Sequence, residues 1–237
     1  MLDVSKGIVS ALARSCSDDP GRYALGGILV EERANGAGSM TATNGAVLCQ
    51  VDIPRAVAPA DRPTLPAYKS APNGAMRAIL DGDTFARAVG DAAKACAKGK
   101  PSLRLPVLIM GETVSTVVGS DLDKTECKTI PNIEGTYPNY YDVMRSGRCI
   151  AEVSLDAAEL RRALAVVEAM HADNPKGAMF TLRFFGEKHA LRLDSQCGAA
   201  TFRGLVMPCN VPSFPKTTPA TRGAVTMKAK GKVEAKQ

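Results

Sequence analysis

The sequence predicts an α+β fold in which short helices pack on antiparallel sheets. Two observations carry that prediction. A short amphipathic helix followed by alternating strands occurs three times along the 237 residues, and the second and third occurrences are preceded by one further short strand. The repeating order is therefore β-α-β-β-β.

In the first repeat Ile8, Val9, Leu12, Ala13 and Cys16 recur at helical spacing, with Ser5, Lys6, Ser10 and Arg14 on other faces. Too few residues precede this helix for a full leading strand. Strands are expected in RYALGGILVEE and in SMTATNGAVLCQVDI, the latter broken by the turn signal Asn44-Gly45. The Gly-containing NGAGS, Asn35 to Ser39, joins two strands and opens no helix, so it is read as a hairpin loop and not as a phosphate cradle.

The second repeat opens with the strand AMRAIL. Asp83 is expected to cap a helix with Phe85, Ala86, Val89, Ala92, Ala93 and Cys96 on its apolar side and Arg87, Asp91, Lys94 and Lys98 on its polar side. SLRLPVLIM, TVSTVVGS and TECKTIPNI supply its strands. In the third repeat AEVSL leads, Asp156 caps, and Leu160, Ala163, Leu164 and Val167 share one helix face opposite Glu159, Arg161, Arg162 and Glu168. AMFTLRFFG, HALRLDS and AATFRGLVMP follow as strands. Residues 54–75, rich in Pro and Ala, read as a connector, and 213–237 as a flexible basic tail.

Composition excludes several classes. A hydrophobic content of 45% can bury a core, and runs such as LPVLIMG are far shorter than the roughly 20 residues of a membrane-spanning helix. No cationic segment precedes the first apolar stretch, so a cytoplasmic location is expected. Seven cysteines, widely spaced and without CxxC or Cys/His clustering, argue against a disulfide framework and a zinc site. Most read as small buried apolar residues in a reducing compartment.

Catalytic signatures are missing. The two histidines, His171 and His189, read as surface residues with no Cys or carboxylate at ligand spacing, and the acid pairs Asp18-Asp19 and Glu31-Glu32 as solvated. No Walker loop, Gly-x-Gly-x-x-Gly or Gly-x-Ser-x-Gly occurs. Neither an enzyme nor a cofactor is expected.

The formal charge of +6 and pI near 9.0 fit an anionic partner. The excess is uneven, because Thr217 to Gln237 carries a net +4 from Arg222, Lys228, Lys230, Lys232 and Lys236 against Glu234. The chain has no Trp and five tyrosines, three of which fall in IEGTYPNYYDVM, Ile133 to Met144.

Three pieces in order carry a resemblance: Tyr23, Leu25 and Gly27; then Ala42-Thr43-Asn44-Gly45-Ala46-Val47-Leu48; then Gly135-Thr136-Tyr137-Pro138-Asn139-Tyr140. Together with the helix-bearing AEVSLDAAELRRALAVVEAM, they resemble the bacterial sliding clamp, the β subunit of DNA polymerase III. The resemblance implies a DNA-clamp fold, with 1–145 a middle-type domain of two repeats and 146–212 the first half of the last domain.

It also implies helices whose polar faces meet DNA phosphates, here through Lys6, Arg14, Arg87, Lys94, Lys98, Arg161 and Arg162. An apolar pocket for partner peptides would use Leu25, Thr43, Gly45, Leu48, Pro138 and Val143. The family's His-Arg after the turn glycine is Ala46-Val47 here. The implied partners are duplex DNA without sequence preference, a DNA polymerase or clamp-loader component, and further copies of the chain, since a homo-oligomer is expected. An alternative is a ring-less interaction module or decoy that binds a host clamp or its partners.

Overall fold

The computed structural model describes residues 1–53, 76–96, 105–121, 123–141, 153–172, 178–185, 189–197 and 200–209. The chain divides into two bodies, Met1–Ser146 and Gly147–Gln237. The connector 54–75, Lys98, Val143 and the tail 213–237 lie outside the described residues.

The first body holds two repeats. One runs β1 (Leu2–Asp3), α1 (Lys6–Ala13), β2 (Gly27–Glu32), β3 (Gly38–Thr43) and β4 (Leu48–Ile53); the other β5 (Met76–Asp81), α2 (Gly82–Ala92), β6 (Val107–Ile109), β7 (Val114–Ser120) and β8 (Thr125–Pro131). The few residues before α1 do form a strand, of two residues. It pairs antiparallel with β6 of the other repeat, Leu2 opposite Leu108, while β5 pairs antiparallel with β2 of the first, Leu29 opposite Ile79. The repeats thus exchange leading strands, and the sheets run β1-β6-β7-β8 and β4-β3-β2-β5.

The exchange produces one shared core. Ile28, Val30, Met40 and Leu80 from one sheet and Leu2, Leu108, Val117 and Ile130 from the other meet Val9 and Leu12 of α1 and Phe85 and Val89 of α2. Ile8, expected on the apolar side of α1, is instead exposed. The helix is only eight residues long, and Val9 and Leu12 are its buried residues.

Two local expectations are corrected. The cap of α2 is Asp81, not Asp83: the Asp81 carboxylate accepts the Thr84 N–H at 2.8 Å and the helix leaves β5 without a loop. Asp83 lies in the first turn, where its charge still favours the positive end of the helix. The segment Pro20–Gly26 is a 3-10 turn and not the start of a strand. Asp19 caps it by accepting the Gly21 N–H at 2.9 Å, and Pro20 supplies a helical φ at its first position. The sheet therefore begins at Gly27, leaving Tyr23 and Leu25 outside it.

The second body holds α3 (Ala157–Met170) and a sheet of order β11-β10-β9, from β9 (Thr181–Arg183), β10 (Leu191–Cys197) and β11 (Ala200–Val206). Asp156 caps α3 through the Ala158 N–H at 2.7 Å. Leu160, Ala163 and Leu164 pack on Leu191, Leu193 and Val206, and Val167 is buried. The expected leading strand contributes a single bridge, Leu155 to Pro208. Among the described cysteines none is fully buried: Cys16 and Cys49 pack at the border of the first body's core, and Cys127 is exposed. His171 is half-buried, not a surface residue: as the C-cap of α3 it reaches the Ser195 hydroxyl at 3.2 Å.

In the first body a close seam lies where α2 ends against β7. A Cβ at Gly119 would stand 1.9 Å from the Ala92 carbonyl oxygen, a backbone atom that cannot rotate away. Gly119→Ala is expected to lower stability by about 1–3 kcal/mol, read as a lower urea midpoint. An unchanged midpoint would show that α2 does not press on this strand.

Candidate nucleic-acid and peptide interfaces

Packing α1 against α2 leaves a cleft of about 710 Å³ on their outward side, lined by Lys6, Ser10, Asp83, Ala86, Arg87, Gly90, Asp91 and Lys94. The small residues make the cleft. A Cβ at Gly90 would lie 3.6 Å from Lys6 Cε, so the lysine stem crosses α2 at its narrowest point. Three of the seven sequence-predicted phosphate contacts, Lys6, Arg87 and Lys94, are therefore brought together. All three are exposed.

Charge in the cleft is organised around Asp91. Lys94 Nζ lies 2.8 Å from its carboxylate, and this hydrogen bond, with the fields of Lys94, Lys128 and Lys6, holds the carboxyl below its usual range. Lys128 of β8 thus belongs to the same field, although sequence reasoning did not select it. The signal was legible only as one exposed strand lysine, and the pairing of β8 beside α2 decides its place. Arg87 stays on its own helix, with Nε 3.4 Å from the Asp83 carbonyl oxygen.

Of the other predicted cations, Arg14 belongs to the same body, Arg161 and Arg162 to the second, and Lys98 lies outside the described residues. Arg14 is exposed at the end of α1 and does not line it. Arg161 and Arg162 are exposed on α3 in the second body, and Arg162 is paired with Glu159.

A second concavity of about 390 Å³ is lined by Gly21, Arg22, Tyr23, Ala24, Leu25, Thr136 and Pro138. It joins two of the predicted pocket residues, Leu25 and Pro138. Gly45, with φ of 91°, turns the β3–β4 hairpin beside it, and a Cβ there would lie 3.3 Å from Arg22 Nη1. Thr43 is committed to that turn: its hydroxyl donates to the Val47 carbonyl at 2.6 Å and accepts the Gly45 N–H at 3.1 Å. Leu48 packs with Leu29, Ile79, Tyr137 and Tyr140, so it belongs to a core cluster and not to the concavity. Arg22 and Tyr23 were not selected as pocket residues, and the 3-10 turn is what presents them. Tyr23 is exposed, its ring 3.0 Å from where a Gly135 Cβ would stand.

The tyrosine-rich segment has its own site. Tyr137 and Tyr140 are buried against Leu29 and Ile79, on the side of the β4-β3-β2-β5 sheet away from α1 and α2. Tyr137 donates to the Thr41 carbonyl at 3.2 Å; Tyr140 and Tyr141 stack with centroids 4.2 Å apart and both donate to the Glu31 carboxylate. Gln50 Nε2 completes the set, 3.2 Å from the Tyr140 oxygen, and Arg77 lies 3.5 Å from the other Glu31 oxygen. Glu31, expected to be solvated, is the acceptor that anchors this segment. Its position on β2 opposite Arg77 is a matter of strand register, which its sequence neighbours do not announce.

No family model matches the sequence, and no curated protein does. Solved structures do. The β subunit of the DNA polymerase of Streptococcus pyogenes aligns with a TM-score of 0.59 at 13% identity, over 86% of this chain and 47% of that one. The β sliding clamp of C. crescentus aligns with 0.57 at 18%, over 87% and 50%. The Helicobacter pylori β clamp, solved bound to a DNA ligase peptide, aligns with 0.55 at 12%, over 90% and 51%. The chain has the sliding-clamp fold and spans about half the length of these clamps.

Burial, and the Glu31 carboxylate in the case of Tyr140, push the Tyr140 and Tyr137 hydroxyls well above the usual phenol range. Burial together with Asp81, Asp83 and Asp18 pushes the Cys16 thiol up to about 11. Raised folded-state values mean that the unfolded chain releases these protons first, beginning near the ordinary thiol and phenol values of about 8.5 and 10. The folded state then holds more protons, so stability falls as pH rises through that range. Urea midpoints should drop between pH 8 and pH 10.5. Tyr140→Phe should cost about 1 kcal/mol at pH 8 and flatten the alkaline slope; an unchanged slope would remove Tyr140 from the account.

Proposed function

We propose that this chain is a clamp-like, non-catalytic DNA-binding factor of replication, acting in processivity or recruitment in the cytoplasm. The observation that carries the proposal is the convergence of Lys6, Arg87 and Lys94 on the outward side of two helices, within a fold shared with bacterial sliding clamps. Long cationic side chains on a rigid helical surface contact phosphates without reading bases, which suits a protein that moves along a duplex. Lys128 extends the same field. Arg14, Lys98, Arg161 and Arg162 are proposed as further phosphate contacts.

The concavity beside Leu25 and Pro138 is proposed as the dock for an extended partner peptide from a polymerase or clamp-loader component. A DNA ligase peptide accompanies the similar clamp of Helicobacter pylori. In this chain Arg22 and Tyr23 line the concavity and Thr43 and Leu48 do not, so a ligand would meet an exposed aromatic and a cation at its mouth. On this proposal 1–145 is the middle-type domain, 146–212 a half domain, and function requires more than one chain.

The second reading, a ring-less module that binds a clamp or its partners, is favoured by one feature. Asp83 and Asp91 line the cleft with its cations and weaken its pull on phosphate. The two readings part on DNA. The first expects duplex binding that falls steeply between about 50 and 200 mM salt, by roughly 0.9 log units per log unit of salt for each phosphate contact. Lys6→Glu with Arg87→Glu should weaken it about tenfold or more and reduce the salt slope by about 2, as read by fluorescence anisotropy on a labelled duplex. No binding at the lower salt, with capture of a purified clamp instead, would favour the second reading.

A further inference from the structure

Strand alternation gives the sheet of the second body two unlike faces. Leu191 and Leu193 of β10 and Val206 of β11 are buried on the side that α3 covers. The other side carries Arg192 and Asp194 of β10, with Arg183 of β9 opposite Arg192, and with Arg203 and Leu205 of β11 opposite Asp194 and Arg192. Met207 continues the β11 row by the same alternation. Arg203, Leu205 and Met207 are all exposed, the two apolar side chains by 69% and 67%.

Charge on this face is one-sided, three arginines against one carboxylate, and no other charged residue stands on an outward position of the three strands. Arg183 Nε lies 2.7 Å from one Asp194 oxygen and Arg192 Nε 2.8 Å from the other. Both oxygens are thus engaged, and Arg203 has no acidic partner among the described residues. The pairs hold two guanidinium forks against the sheet by their Nε atoms, while their outer N–H groups meet no acceptor among the described residues. A planar fork already fixed in place loses little freedom when it takes a further carboxylate.

What lies beside the arginines decides which anion fits. A duplex presents phosphates alone and would leave Leu205 and Met207 without a partner, and unpaired bases need an aromatic platform. The one aromatic within these strands, Phe202, packs on the core side. A peptide can meet both chemistries at once, because it carries carboxylates for the arginines and aliphatic side chains for Leu205 and for the adaptable thioether of Met207. Residues 203, 205 and 207 stand about 7 Å apart along β11, the spacing of alternate side chains in an extended chain.

We propose that the outward face of the β11-β10-β9 sheet docks an extended acidic peptide of a partner protein. A carboxylate meets Arg203 and the neighbouring Arg192 and Arg183, and apolar side chains two and four residues away meet Leu205 and Met207. The surface uses no residue of the cleft or the concavity in the first body and is tested without DNA.

The test is fluorescence anisotropy of the full chain with a labelled peptide of repeating Asp-Thr-Leu-Thr-Leu, beside the same peptide with Lys for Asp, an all-aspartate peptide and a labelled single-stranded oligonucleotide. The Asp-Leu peptide should bind in a salt-sensitive manner and the Lys peptide should not. Arg203→Glu should weaken binding about tenfold, and Leu205→Ser several-fold. Both positions are exposed, so the circular dichroism spectrum should stay intact. Should Arg203→Glu fail to fold, Leu205→Ser carries the test, because removing an apolar side chain weakens peptide docking and leaves purely ionic binding unmoved. Equal binding by the all-aspartate peptide, tighter binding of the oligonucleotide that Leu205→Ser does not change, or no binding of the Asp-Leu peptide would overturn the proposal. A loss of peptide binding produced instead by Lys6→Glu with Arg87→Glu would assign the peptide to the cleft and overturn it as well.

Discussion

In the first body, the first strand after each helix has an edge that its own repeat does not close, and the architecture follows from how that edge is satisfied. A buried edge strand with unpaired amides and carbonyls is costly, since each orphaned group loses its water without gaining a partner. In the first body β1 closes β6 and β5 closes β2, so neither repeat has a finished sheet without the other. The shared core is the consequence: the side chains that meet Phe85 and Val89 come from both repeats. The side-by-side placement of α1 and α2, and hence the cationic cleft between them, depends on the same exchange.

The sheet β4-β3-β2-β5 poses a second problem, because its central strands are apolar on both faces. Ile28 and Val30 point to the helices, while Leu29 points the other way. The concentration of tyrosines in one short segment answers it. Tyr137 and Tyr140 cover Leu29 and Ile79 with their rings, and their hydroxyls satisfy the Thr41 carbonyl and the Glu31 carboxylate. An aromatic with a polar tip suits a sheet face that is buried yet bordered by strand carboxylates. Within their own body these tyrosines serve as the cover of a sheet.

The repeat and the helix faces were legible because periodicity is local. Val9, Leu12, Phe85, Val89 and Val167 could be read as core from spacing alone, and Asn44-Gly45 as a turn from its chemistry. The concavity was half legible. Leu25 and Pro138 line it, but Leu48 was drawn into the tyrosine cluster and Thr43 into the hairpin turn, because each had a closer partner across the sheet than across the groove. Arg22 and Tyr23 were not read as pocket residues because Pro20 and Asp19 start a helical turn where alternating residues suggested a strand.

The amino-acid sequence by itself determined most of the elements: three helix-then-strands repeats, amphipathic helices with cationic outer faces, and turns set by Asn, Gly and Pro at particular positions. Those depend on interactions spanning a few residues, and the side chains carry them wherever the segment goes. Only the tertiary structure decided that leading strands are exchanged, that Lys6, Arg87, Lys94 and Lys128 share one field, and that Glu31 anchors the tyrosines. Each of these joins residues far apart in the chain. Strand pairing across such distances is set by which edges remain unsatisfied once all the sheets have formed, a property of the assembled molecule and not of any one stretch.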